Sequence, residues 1–134
     1  TVSHMDRRGY QQYKQQSVNS MTQGELLLLL YDELVKRATM ASILLDKRDF
    51  PNFELAVDRC MDIVTYLDET LDHKYPISGE LSRLYEYFTY QLGRIKIGRN
   101  KKELESLRPM LADLRDAFHT AEKDAGSQGK RGLV

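Results

Sequence analysis

Apolar residues recur along this chain at steps of three and four, the period of helices buried along one side. No run alternates apolar with polar residues as a half-buried strand does. Four segments carry the helical period. The first opens at Thr22, where Thr-Gln-Gly-Glu makes a capping box between Thr22 and Glu25. Its stripe is Leu27, Leu30, Tyr31, Leu34, Ala38, Ala41 and Leu45, and Asp46 to Phe50 break the pattern. The second opens near Asp49 to Pro51, with proline suited to a first turn. It carries Phe53, Ala56, Val57, Cys60, Val64, Leu67 and Leu71, and the residue before Pro76 closes it. The third starts near Ser78 with Leu81, Leu84, Tyr85, Phe88, Leu92 and Ile95, and Gly98 is its expected stop. The fourth begins at Asn100 and carries Leu104, Leu107, Leu111, Leu114, Phe118 and Ala121. Pro109 inside it predicts a kink or break near Arg108.

One stretch exceeds what a single stripe needs. Leu26 to Leu30 are five unbroken leucines, followed by Tyr31. Successive residues step by about 100° around a helix, so this run covers the whole circumference. Leu26, Leu29, Met40 and Ile43 fall on a second face, and Leu28 with Val35 on a third. Fully burying a leucine is worth roughly 1.5–3 kcal/mol, so uncovered leucines forfeit stability and invite aggregation. Some covering is expected. One candidate is the preceding polar segment, through Tyr10, Tyr13, Val18 and Met21, or a central position for this helix. The other is a partner's helix laid in an apolar groove.

The organisation follows. Residues 1–4, Thr-Val-Ser-His ahead of Met5, look like a cloning remnant. Residues 5–21, rich in Gln, Ser, Asn and Arg, read as an N-terminal arm, 22–124 as the helical domain, and 125–134 as a loose tail. Helices of about 20 residues joined by short links argue for an all-α, antiparallel, up-and-down four-helix bundle.

Composition narrows function mainly by exclusion. The 134 residues suit one domain, and 20 basic against 20 acidic residues give no global pull towards nucleic acid or an acidic membrane. The single cysteine, Cys60, fits a reducing compartment, and the longest apolar run is too short for a membrane span. A cytoplasmic protein, monomeric or weakly dimeric, is expected. Glu69 with His73 and Asp116 with His119 are the nearest approaches to metal-ligand spacing, and neither has a matching half-site. Cys60 lies on an apolar stripe without a neighbouring histidine, which favours an inert thiol. There is no phosphate loop or nucleophile elbow, so neither an enzyme nor a cofactor is expected. Arg94, Lys96, Arg99, Lys101 and Lys102 form a basic segment that reads as a solvated helix end or a small anionic contact.

The stretch "YQQYKQQSVNSMTQGELLLLLYDELVK" resembles the start of the bacterial flagellar secretion chaperones that bind flagellin, the FliS family. It has the arm tyrosine, the Val-x-Ser/Thr step and a leucine-rich run ending in Leu-Tyr-Asp. The likeness continues through "ELSRLYEYFTYQLGRIKIGRNKKELE" to "LADLRDAFHTA", from about Tyr10 to Glu122. Thr-Gln stands where many members carry Ser-Pro or Thr-Pro, Phe118 where tryptophan is common, and Glu33 where glycine often follows Tyr-Asp. The resemblance implies a non-enzymatic bundle that binds the disordered C-terminal region of flagellin, prevents premature filament assembly and keeps the subunit fit for type III flagellar export. Export machinery or regulators are implied further partners. On this reading Tyr10 and Val18 lie over the groove in the free protein, and Leu26, Leu29 and Leu30 line it beside Tyr31. Leu81, Tyr85, Phe88 and Leu92 either line a second surface or are plain core. Arg115 has two readings, a partner's acidic group or an internal carboxylate. The competing reading is a structural bundle that self-associates through its surplus leucines, without a flagellin client.

Overall fold

The computed structural model describes residues 21–127, so the expected arm, with Tyr10, Tyr13 and Val18, lies outside the described residues. Among the described residues there are four helices and no strand: α1 (Gln23–Asp46), α2 (Phe50–Glu69), α3 (Ile77–Gly98) and α4 (Lys101–Ser127). The links 47–49, 70–76 and 99–100 are short, so consecutive helices reverse direction. α1 packs between α2 and α4. α3 lies diagonally across from it, against α2 and, more thinly, α4.

Local chemistry sets the helix ends. The Glu25 amide donates to Thr22 Oγ1 at 3.1 Å, and the Thr22 hydroxyl reaches the Glu25 carboxylate at 3.2 Å. Asp49 caps α2 ahead of Pro51, and Asn100 Oδ1 accepts from the Glu103 amide at 3.0 Å. Gly98 is not the stop expected for α3. It stays helical, and Arg99 takes the left-handed conformation (φ 49°). A tertiary contact outweighs glycine's advantage there, because the Arg99 guanidinium sits 3.7 Å from the centre of the Phe50 ring. Nor is α4 broken at Arg108. It runs through Pro109, which is exposed on the helix surface, where water can serve the carbonyl the proline leaves unpaired.

The stripes meet in one core that includes Leu34, Phe53, Val57, Phe88, Leu92, Ile95, Leu104 and Leu111. Tyr31 packs on Phe118 with ring centres 4.6 Å apart, and its hydroxyl hydrogen-bonds that of Tyr85. Among the described residues, no helix is long and apolar enough to cross a membrane.

Candidate functional site

The two flanks of α1 are built differently. Towards α4 a polar lattice ties the seam. Lys101 Nζ reaches Ser42 Oγ at 2.6 Å, Asp46 at 2.9 Å and Glu105 at 3.2 Å. Ser42 also donates to Glu105. Arg108 bridges Glu105 at 2.8 Å and Thr39 at 3.1 Å, and His119 meets Asp32 at 2.9 Å. Leu28 and Val35 are half-buried against the core, each beside residues of α4. The other neighbouring pairs also carry polar ties: Ser82 to Asp68 and Lys96 to Asp58, both 2.8 Å, between α2 and α3, and Arg94 to Glu103 at 3.8 Å between α3 and α4.

Between α1 and α2 this lattice is missing. Among the described residues, only the weak contact from Cys60 Sγ to the Leu34 carbonyl, 3.8 Å, joins the two helices by a side-chain hydrogen bond. A groove of about 590 Å³ runs there, with Arg37, Met40 and Leu44 on one wall and Leu55, Arg59 and Asp62 on the other; smaller ones of about 330 Å³ and 430 Å³ lie between α1 and α4 and between α2 and α3. Seven-residue steps extend both walls: Leu44, Arg37 and Leu30; Met40, Glu33 and Leu26; and, on α2, Arg59 and Tyr66. Of the large apolar side chains left exposed among the described residues, Met40 (40%) and Leu55 (65%) line this groove. The salt bridge from Arg37 to Glu33, 2.7 Å, gives the wall a polar edge.

The expected site residues divide by burial. Leu29 is on the surface, on the α1 face that also carries Met40, and Leu26 and Leu30 are half-buried. Tyr31 is interior, and Leu81, Tyr85, Phe88 and Leu92 are core, none more than 6% exposed. A partner reaches those five only if the bundle opens. Tyr10 and Val18 are outside the described residues. Leu55 and Tyr66 were not singled out from sequence, although both are apolar residues off the buried stripe of α2. Arg115 pairs with the neighbouring Asp116 at 3.0 Å.

The chemistry elsewhere is quiet. Burial pushes the Cys60 thiol up to about 12, although nearby Arg37 works in the opposite direction. His119 meets Asp32, and Asp116 accepts from Arg115. Among the described residues, no three His, Cys, Asp or Glu side chains gather as metal ligands.

Four helices packed around one core, with a groove between α1 and α2, place the chain in the class of four-helix-bundle proteins. The family model for the flagellar protein FliS matches residues 6–125, and the chain belongs to that family. It is 28% identical over 112 residues to the flagellar secretion chaperone FliS of Bacillus subtilis (strain 168), spanning 84% of each chain. Its fold is similar to a crystal structure of a bacterial flagellar chaperone, with TM-score 0.71 at 18% identity, covering 89% of this chain and 98% of that one. Family membership gives it the role of a flagellar chaperone.

Proposed function

We propose that this FliS-family chain is a cytoplasmic export chaperone. Its client is the disordered C-terminal region of flagellin, held so that filaments do not assemble early and the subunit stays competent for type III flagellar export. The observation that carries the reading is the α1–α2 seam. The other three neighbouring pairs are tied by polar side chains between the helices, whereas this one lacks such ties and carries a groove lined by Met40, Leu44 and Leu55. An amphipathic client segment laid along it covers those side chains with its own apolar face. Arg37, Arg59 and Asp62 at the edge suit the polar margin of such a helix.

The mechanism needs no catalytic step or nucleotide. Client burial drives binding, while the entropy lost in ordering a disordered segment keeps the grip releasable. In this reading Tyr10 and Val18 cover the groove until the client arrives. Tyr31, Leu81, Tyr85, Phe88 and Leu92 shape its support from within. Export machinery would receive the loaded complex.

Calorimetric titration of a flagellin C-terminal peptide into the full chain tests this, with circular dichroism read in parallel. Saturable binding with a negative heat-capacity change and a gain of helical signal is expected. Absence of binding, or binding with no helix gained, overturns it.

A further inference from the structure

The charges of this chain balance in number but not in place. Two links lie at one end of the bundle, 47–49 between α1 and α2 and 99–100 between α3 and α4. Two contacts join them. The Arg99 guanidinium sits 3.7 Å from the centre of the Phe50 ring, and Lys101 Nζ reaches Asp46 at 2.9 Å. Residues 46–49 and 99–102 carry Lys47, Arg48, Arg99, Lys101 and Lys102 against Asp46 and Asp49. Both of those carboxylates are engaged, Asp46 by Lys101 and Asp49 by Asn52. Further along the helices, Lys96 meets Asp58 with Glu54 nearby, Arg94 meets Glu103, and Lys101 and Arg108 hold Glu105. Lys47, Arg48, Arg99 and Lys102 are exposed, and none forms an ion pair among the described residues. The opposite end leans the other way. Residues 22–25, 69–80 and 122–124 carry Glu25, Glu69, Asp72, Glu80, Glu122 and Asp124 against Lys74, Lys123 and His73.

Two of the cations strain the backbone. Arg48 and Arg99 have positive φ, 59° and 49°, each just past a helix end where glycine sits without strain. Arg99 has Phe50 to stack on. The Arg48 side chain has no hydrogen bond or ion pair among the described residues, so internal packing does not account for it. Beside this cluster Ile97 is 87% exposed, the most exposed large apolar side chain among the described residues.

We propose that this end of the bundle seats on an anionic lipid bilayer, its cations among the headgroup phosphates and Ile97 at the headgroup–acyl boundary. Lysine and arginine reach phosphates on flexible apolar stems, and an aliphatic side chain among them gains by entering that boundary. A nucleic acid offers Ile97 nothing and calls for open aromatic faces, whereas the Phe50 ring is covered by Arg99. An acidic helix calls for cations in a lengthwise row, and these stand on two separate turns. Fluid lipids rearrange to meet them. A handful of cations and one inserted side chain give a weak, reversible hold. The α1–α2 groove lies along the side of the bundle, so the seat leaves it open and requires no bound client.

Co-sedimentation of the full chain with vesicles of equal parts phosphatidylcholine and phosphatidylglycerol tests this. Binding is expected at low salt, with little to phosphatidylcholine alone, and it weakens at least about tenfold between about 0.1 M and about 0.5 M salt. Lys47→Glu with Lys102→Glu lowers it at least about a hundredfold. The same reversal at the opposite end, Lys74→Glu with Lys123→Glu, leaves it within about a factor of two. Arg48→Gly weakens binding about fivefold while raising thermal stability, a combination that misfolding cannot produce, and Arg48→Lys keeps it. Equal binding to neutral vesicles, none to anionic ones, or equal losses from the two reversed pairs overturns the proposal. So does an Arg48→Gly variant that binds like wild type. Oligouridylate or polyglutamate retained at higher salt than the anionic vesicles also overturns it, in favour of a nucleic acid or an acidic protein.

Discussion

Tyr31 on α1 and Tyr85 on α3 join their hydroxyls across the diagonal of the bundle, each the other's only side-chain hydrogen-bond partner among the described residues. Burial pushes the Tyr85 phenol up to about 12, and that of Tyr31 higher still, so both stay neutral. Removing one hydroxyl strands the other in an apolar interior, at a cost of about 1–3 kcal/mol, whereas removing both leaves no orphan. Urea unfolding is expected to show Tyr31→Phe and Tyr85→Phe each destabilised and the double variant costing less than their sum. Additive losses would contradict the pairing.

The buried Cys60 thiol yields a kinetic prediction. With its acidity suppressed to about 12 and no exposure in the folded chain, it reacts with a thiol reagent only when the bundle opens. The labelling rate at neutral pH is expected to be far slower than in the urea-unfolded chain. Fast labelling of the native protein would place the thiol outside the core.

The α1–α4 lattice sets a pH dependence. The hydrogen bond from Ser42 holds the Glu105 carboxyl below the usual carboxylate range; burial opposes it, and Lys101 and Arg108 reinforce it. A folded-state value below the unfolded one gives stability that is present above the unfolded value and lost as pH falls through the folded value. Glu105→Gln is expected to lower stability at pH 7 by about 0.5–1 kcal/mol, kept small by solvent screening. Unfolding curves taken down through the carboxylate range should show the gap to wild type closing.

Two arginines stand in left-handed backbone where glycine is at ease: Arg48 (φ 59°) and Arg99 (φ 49°). The strain is about 1 kcal/mol in each. Arg99 recovers roughly 0.5–1 kcal/mol from its stack on Phe50, and among the described residues the Arg48 side chain has no hydrogen bond or ion pair. Thermal unfolding is therefore expected to show Arg48→Gly stabilised and Arg99→Gly near neutral. Equal gains would mean the stack contributes nothing.

Much of the fold was legible because its signals are local. The 3.6-residue period fixed the four stripes, and Thr22, Asp49 and Asn100 marked helix starts through side chains that reach amides three positions on. Gly98 misled because the contact that sets the turn, Arg99 on Phe50, joins residues far apart in the chain. The leucine run is less exposed than its sweep around the helix implies. A helix between two neighbours buries its flanks as well as its inner face, so Leu28 and Leu30 pack on the core and, of the five leucines, only Leu29 is exposed. For the same reason Tyr31 and the α3 stripe lie inside rather than along a groove. The missing polar ties between α1 and α2 depend on which faces meet in space, so periodicity alone could not show them.

The most direct measurement compares two surface charges on opposite sides of the bundle. A flagellin C-terminal peptide is titrated by calorimetry into wild type, Leu29→Asp and Ile97→Asp, each shown folded by circular dichroism. Leu29 stands on the α1 face it shares with groove-lining Met40, three turns away, and Ile97 on the outer face of α3, so the account predicts that affinity falls at least about tenfold in Leu29→Asp, where a charge meets the client's apolar face, and holds in Ile97→Asp. Unchanged affinity in a folded Leu29→Asp would contradict it.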